Sequence, residues 1–179
     1  MARFRIGDAQ ALPFADASFD AATMALVITF VPDPLRAATE MRRVVKPGGL
    51  VATYMWDIPG GGIPTHAVGD AMKSLGIGTP SAFNYEISRL ENMLALWRKA
   101  GLQSIETDVI RIPVAFTSFD DYWDSNVVAV GPRGPLIRSL SAENRERLKA
   151  RLREQLPIGA DGRIAYEGFA NAVKGRVPR

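Results

Sequence analysis

The sequence contains no cysteine, so neither a disulfide framework nor a thiolate metal site can be built from it. No apolar run reaches the length of a membrane span, which excludes a spanning helix at the level of sequence. The opening Met1-Ala2-Arg3-Phe4-Arg5 leads into polar chain and not into an apolar core segment. No signal peptide is therefore read, and a soluble cytoplasmic protein is expected. Internal repeats and low-complexity linkers are also missing. With 179 residues, the chain is expected to form one domain, residues 1–179, large enough for a true core.

Charge is present but uneven. Residues 131–179 hold eleven Lys and Arg against five Asp and Glu, whereas residues 1–130 hold eleven against fourteen. A basic tail can serve nucleic acid. This one lacks the interleaved aromatics on which single-strand binders stack bases, so it is read as a solvated helix face with no nucleic-acid partner.

The local pattern alternates strands and helices. Ala2–Ile6 is expected to form a very short strand. Phe19–Leu26 is apolar on both faces, the signature of a parallel strand covered on both sides. Asp33-Pro34 supplies a helix cap and a first helical residue, and Leu35, Ala38, Met41 and Val45 follow near the helical period. Lys46-Pro47-Gly48-Gly49 stops that helix, with Lys46 read as a helix C-terminal cation, and Leu50–Trp56 is the next strand. Strand, helix, strand with short connections is one right-handed crossover unit. Helices are predicted over 65–75, 88–100, 120–128 and from Ser141 to Leu156, and strands over 102–116 and 163–173. The alternation argues for an α/β sandwich.

Several short motifs stand in register along this framework. Gly7-Asp8-Ala9-Gln10-Ala11-Leu12-Pro13-Phe14 is followed by Ser18-Phe19-Asp20 and then by Arg43-Val44-Val45-Lys46-Pro47-Gly48-Gly49. Trp56-Asp57 closes the next strand, and Asp161-Gly162-Arg163 leads into the last one. In this order and spacing they resemble the class I S-adenosylmethionine (SAM)-dependent methyltransferases of the ubiquinone/menaquinone-biosynthesis type. The matches are dense over residues 7–57, and the rest of the chain fits in outline.

That resemblance implies a Rossmann-like three-layer α/β sandwich, with strands in the order third, second, first, fourth, fifth, seventh, sixth and the last one antiparallel. It implies SAM as cofactor and methyl transfer to a small-molecule or lipid-like acceptor. Asp8 matches the acid that accepts from the adenine amino group, and Ala9 the position whose backbone N–H meets the ring. Ala25 and Leu26 match the strand end that passes the methionine part. Trp56 and Asp57, at the carboxyl end of a strand, are candidates for the acceptor pocket, as is His66, the only histidine, behind the Gly60-Gly61-Gly62 run. The preferred reading of His66 is a polar helix residue without chemistry, and Trp56 and Asp57 are the stronger candidates. Thr29 stands where many relatives carry a histidine. No residue is assigned a catalytic role, because the sulfonium is already a strong electrophile and positioning is the protein's main task.

The family's glycine-rich loop has no counterpart here. Gly60-Gly61-Gly62 follows the wrong strand, and Gly76-Ile77-Gly78 follows a helix. The first two strands of the family cannot be placed, so an incomplete sheet is expected, with the strand at 19–26 as an open apolar edge. Such an edge invites self-association. The chain is therefore expected to be a fragment, to carry a misplaced start, or to complete itself with a partner. The alternative function is an inactive methyltransferase remnant acting as an interaction module.

Overall fold

The computed structural model describes residues 4–78, 84–128 and 133–179. The elements in chain order are β1 (Phe19–Ala25), α1 (Pro34–Val44), β2 (Val45–Trp56), α2 (His66–Ser74), α3 (Leu90–Lys99), β3 (Gln103–Phe116), α4 (Phe119–Val128), α5 (Arg133–Ser139), α6 (Ala142–Gln155) and β4 (Ile164–Arg176). Short 3-10 turns lie at Ile28–Phe30 and Tyr85–Ser88. The four strands form one sheet in the order β1-β2-β4-β3. β1 runs parallel to β2, and β4 antiparallel to β2. This is the fourth-fifth-seventh-sixth portion of the expected order, with the antiparallel strand where the resemblance places it.

The local grammar works as the residues dictate. Asp33 has an extended backbone and its Oδ1 accepts the Arg36 N–H at 3.0 Å, while Pro34 takes the first helical position. Ser141 Oγ accepts the Asn144 N–H at 3.2 Å and opens α6. Gly48 takes a φ of +80°, within a β2 that begins directly at Val45. Lys46 is thus a strand residue, not a helix-terminal cation: its Nζ meets Asp20 Oδ1 at 2.8 Å across the parallel pair. Gly49 has no room for a Cβ, which would sit 2.6 Å from the Asp20 carbonyl oxygen. The proline-glycine run therefore lets two strands approach and does not merely break a helix.

Two expectations are corrected, and one helix is added. Of the strand expected at Ala2–Ile6, Ala2 and Arg3 lie outside the described residues, and Phe4–Ile6 forms no strand: no strand pairs with it among the described residues, and Phe4 and Ile6 stand 94% and 102% exposed. β1 is covered on one face, not two: Met24 is buried, but Phe19, Ala21, Thr23 and Ala25 are exposed. The apolar run is the same; its cover is absent on one side among the described residues. α5 was not read from the sequence, since Gly134 and Pro135 within it are poor helix formers.

Two compact units divide the chain. The first comprises residues 1–60, 82–110 and 169–179; the second comprises 61–81 and 111–168. In the first, α1 and α3 lie on one face of the sheet. Ala37, Ala38, Met41 and Val44 pack with Met93, Leu96 and Trp97 over Met24, Val51, Met55 and Val173. Trp97 is fully buried and its Nε1 donates to the Val51 carbonyl at 3.2 Å. In the second, α2, α4, α5 and α6 gather Val68, Met72, Tyr122, Ile137, Leu148 and Leu152 around Ile164. No helix among the described residues is long and apolar enough to cross a membrane.

Candidate functional site

Residues 8–16 precede β1 and are fixed by side chains of α1. Asp8 Oδ1 accepts the Gln10 N–H at 2.8 Å, and the Asp8 carbonyl accepts the Ala11 N–H at 3.0 Å, closing a tight turn. Gln10 then ties that turn to the start of α1. Its Oε1 accepts the Asp33 N–H at 2.9 Å, and its carbonyl accepts Arg36 Nε at 2.9 Å.

The next residues are held by a clamp of Glu40 and Arg43. Glu40 Oε2 accepts the Leu12 N–H at 2.8 Å. Arg43 donates to the Leu12 carbonyl at 3.0 Å, to the Phe14 carbonyl at 2.9 Å and to Asp16 Oδ1 at 2.6 Å, and it also meets both Glu40 oxygens. The guanidinium has several donors in a rigid fork, which is why one arginine can secure two carbonyls and two carboxylates. Its hydrogen bond holds the Glu40 carboxyl below the ordinary glutamate range, against the opposing pull of desolvation. The clamp links the Leu12-Pro13-Phe14 motif to the arginine of the Arg-Val-Val-Lys-Pro-Gly-Gly motif. The sequence showed both motifs but not that one binds the other; the Glu40/Arg43 spacing of one helical turn was the available signal.

The clamp's product is a presented pair of groups. Asp8 remains exposed, with lone pairs beyond those used by Gln10. The Ala9 N–H meets no acceptor among the described residues. Ala9 also lines an apolar trough of about 360 Å³ with Leu12, Phe14, Ala22, Met24 and Val27. A carboxylate acceptor, an unspent N–H and an apolar wall are the donor set an adenine edge requires, so the residues present fit that end of SAM.

The strand end at Ala25 and Leu26 is different. Leu26 adopts a left-handed backbone with φ 56°, a costly conformation for a branched side chain. Its N–H is spent on the Tyr54 carbonyl at 2.9 Å. Any contact made by this segment must therefore come from its carbonyls or from Ala25, whose side chain is exposed.

At the end of β2, Trp56 is half-buried, and Asp57 Oδ1 accepts the Gly60 N–H at 2.9 Å, while its second oxygen meets no donor among the described residues. The 3-10 turn Tyr85–Ser88 bridges the ends of β1 and β2. Asn84 donates to the Thr29 carbonyl through its N–H and to the Val31 carbonyl through Nδ2. Buried Ser88 accepts the Ile58 N–H through Oγ at 3.2 Å, and its own carbonyl accepts Asn171 Nδ2 at 2.8 Å. Neither Asn84 nor Ser88 was singled out in the sequence, because no local pattern marks a residue that braces two distant strand ends. Thr29, in place of the relatives' histidine, is fully buried with its hydroxyl against Met55 Sδ.

His66 lies in the second unit. Its Nδ1 sits 3.2 Å from the Ile63 carbonyl. A carbonyl only accepts, so Nδ1 is the donor in this contact. The neighbouring carbonyls are occupied too: Pro64 by the Tyr166 hydroxyl and Thr65 by Arg133 Nη1. His66 thus takes part in fixing the approach to α2.

Part of the chain is similar in sequence to known proteins, and nearly all of it in fold. Residues 2–53 match a sequence family described as a methyltransferase domain. The demethylmenaquinone methyltransferase of Renibacterium salmoninarum is 48% identical over 56 residues, covering 31% of this chain and 24% of that protein. That of Bacillus velezensis is 58% identical over 45 residues, covering 25% of this chain and 19% of that protein. The matched stretch thus spans less than a quarter of the length of these curated relatives. Among solved structures, the YcgJ protein of Bacillus subtilis aligns with a TM-score of 0.58 at 20% identity, covering 99% of this chain and 71% of that one. A candidate methyltransferase of Bacillus halodurans aligns at 0.54 and 19% identity, covering 97% of this chain and 70% of that one. Residues 2–53 are thus similar in sequence to a methyltransferase domain, and nearly the whole chain shares the fold of these two solved structures.

Proposed function

We propose that this chain supplies the adenine-binding edge and the acceptor-facing strand ends of a SAM-dependent methyltransferase acting on a small-molecule acceptor. The observation that carries the reading is the Glu40–Arg43 clamp, which holds Asp8 and the free Ala9 N–H beside an apolar trough. In this reading Asp8 accepts from the adenine amino group, the Ala9 N–H donates to the ring, and Ala25 and Leu26 face the methionine portion. When bound, SAM supplies an activated methyl group on a sulfonium. The protein's own part is positioning, which is why an assigned general base is unnecessary.

Trp56 and Asp57 are proposed to face the acceptor, Trp56 through its ring and Asp57 through its open carboxylate oxygen. His66 is proposed to present Nε2 to the acceptor. The names of the matched relatives support a quinone-like acceptor. The exposed side chains of Phe30 and Tyr85, on the two turns joined by Asn84, suit a molecule of that apolar kind. Cytoplasmic location and self-association through the β1 edge belong to the same proposal.

Calorimetric titration of SAM into the purified chain tests it. Wild type should bind with measurable heat. Asp8→Asn, which swaps one acceptor oxygen for a donor, should weaken binding by about tenfold, the value of about 1.4 kcal/mol. Absence of both heat and thermal shift at saturating SAM would overturn the reading for this chain.

A further inference from the structure

The second unit holds a cation and a donor that its own residues leave unanswered. Arg133, the first residue of α5, is half-buried and pairs with no carboxylate among the described residues. Its Nη1 donates to the Thr65 carbonyl at 2.9 Å and to Thr65 Oγ1 at 2.8 Å. Both Nη1 hydrogens are then spent, while Nη2 and Nε donate to nothing among the described residues. That remaining edge carries two parallel N–H groups, the pair that grips a carboxylate through both oxygens. Burial pulls the guanidinium below its ordinary range, opposed by the Tyr122 phenol and by Asp70. Asp70 is exposed and makes no ion pair with it, so the buried charge lacks the partner that such a charge calls for.

Tyr122 is the unanswered donor. Its side chain is fully buried and its hydroxyl meets no partner. The phenol lies within the field of Arg133, which opposes the rise that burial imposes on it. The start of α2 adds to the same excess of donors. Thr65 stands at the cap position, yet its side chain caps nothing, because Oγ1 is turned to Arg133. The N–H groups of buried Ala67 and Val68 meet no acceptor among the described residues, which leaves the positive end of α2 uncompensated. Beside them Gly69 is half-buried, and Arg133 Nη2 stands 3.6 Å from where its side chain would begin. No side chain of Gly69 therefore covers that nitrogen.

We propose that the free edge of Arg133 and the Tyr122 hydroxyl, beside the uncapped start of α2, form a subsite for the carboxylate of a small-molecule ligand. The donors match that group in number and kind. Nε and Nη2 take the two oxygens, the phenol gives a third hydrogen bond, and the helix end adds its field. A phosphate has more oxygens than these side chains can serve. All the residues belong to the second unit, and the proposal stands whether or not the chain binds SAM. It also explains why Tyr122 keeps a hydroxyl in a place where phenylalanine would pack without an unpaired oxygen: the atom is idle only while the ligand is away.

Acetate is the probe, titrated against chloride at constant ionic strength and followed in amide and guanidinium nitrogen–proton spectra. Wild type should show saturable shifts at the Val68 amide and the Arg133 Nε–H. Tyr122→Phe should raise the acetate dissociation constant about tenfold without lowering the melting temperature, because its oxygen has no bond to lose. Arg133→Lys keeps the charge but not the fork, and should abolish saturation. Since Arg133 also holds Thr65, Tyr122→Phe is the variant that separates binding from folding. Inorganic phosphate should bind more weakly than acetate. Shifts that never saturate, or that saturate equally in wild type and Tyr122→Phe, would overturn the subsite and leave Arg133 as a brace between α5 and α2. Tighter binding of phosphate would overturn the assignment to a carboxylate.

Discussion

The two compact units hold themselves together by different means. In the first, polar side chains reach specific backbone atoms: Arg43 to the Leu12 and Phe14 carbonyls, Asp33 to the start of α1, Trp97 to Val51, and Asn171 to Ser88. In the second, the centre is the apolar packing of α2, α4, α5 and α6, and two of its buried polar atoms, Tyr122 Oη and Asn126 Oδ1, have no partner among the described residues. Directional bonds need particular residues at particular places, whereas packing needs volume and period. The first kind of unit leaves motifs in a sequence, and the second leaves only amphipathic spacing.

The sharpest way to break this comparison is to substitute the centre of each unit. Trp97→Ala removes a fully buried ring together with its bond to Val51, and should destabilise the protein by about 3–5 kcal/mol. Trp97→Phe should keep much of the volume yet leave the Val51 carbonyl without its donor, so a sizeable part of the loss should remain. Leu148, fully buried on α6, should behave otherwise. Leu148→Ala should cost about 2–5 kcal/mol, but the volume-conserving Leu148→Met less than about 1.5 kcal/mol. Denaturant titrations of the four variants would decide. Equal tolerance of Trp97→Phe and Leu148→Met would erase the distinction.

A smaller effect is expected at the clamp, and its sign follows from the shifted carboxyl. Glu40 titrates below its ordinary value of 4.5 in the folded protein, chiefly because Arg43 bonds its charged form. Its stabilising contribution is therefore complete above that value and is lost as pH falls through the lowered one. Protection of the amides over residues 8–16, measured against the intrinsic exchange rate at each pH, should fall on acidification while the Val51–Met55 stretch of β2 stays protected. Glu40→Gln should release the 8–16 segment already at neutral pH and remove that acid step. If the segment opened in acid equally in both proteins, Glu40 would not be its latch.

How far the sequence was legible follows the same division. The Asp33-Pro34 cap, the parallel β1–β2 pair and the antiparallel β4 were readable because each has a local or family-spaced signature. The cover of β1 was not, since a continuous apolar run states that a strand can be buried and not that something buries it. Lys46 was misread as a helix end because its partner Asp20 lies 26 positions away, across a sheet pairing that no helix periodicity reports. For the candidate site, Asp8 and Ala9 were visible as residues, but the clamp that presents them became visible only when two motifs folded against each other. Leu26's left-handed turn had no signal, as leucine is among the residues least expected there.

The mildest expected effect probes the unspent atoms of the second unit. Tyr122 is fully buried, burial pushes its phenol well above the usual range, and its hydroxyl bonds to nothing among the described residues. Tyr166, by contrast, is pushed up to about 12 by burial but gives its hydroxyl to Pro64. The ring of each contributes packing; only Tyr166's oxygen contributes a bond. Tyr122→Phe should therefore be neutral or stabilising by up to about 1 kcal/mol, because it deletes a desolvated polar atom without opening a partner. Tyr166→Phe should destabilise by about 1 kcal/mol, since the Pro64 carbonyl loses its donor. Thermal melts of the two variants side by side make the comparison. A loss at Tyr122 as large as that at Tyr166 would mean that the hydroxyl has a partner in solution, such as an ordered water shared with Asn126 Oδ1, and that this unit too relies on directional bonds.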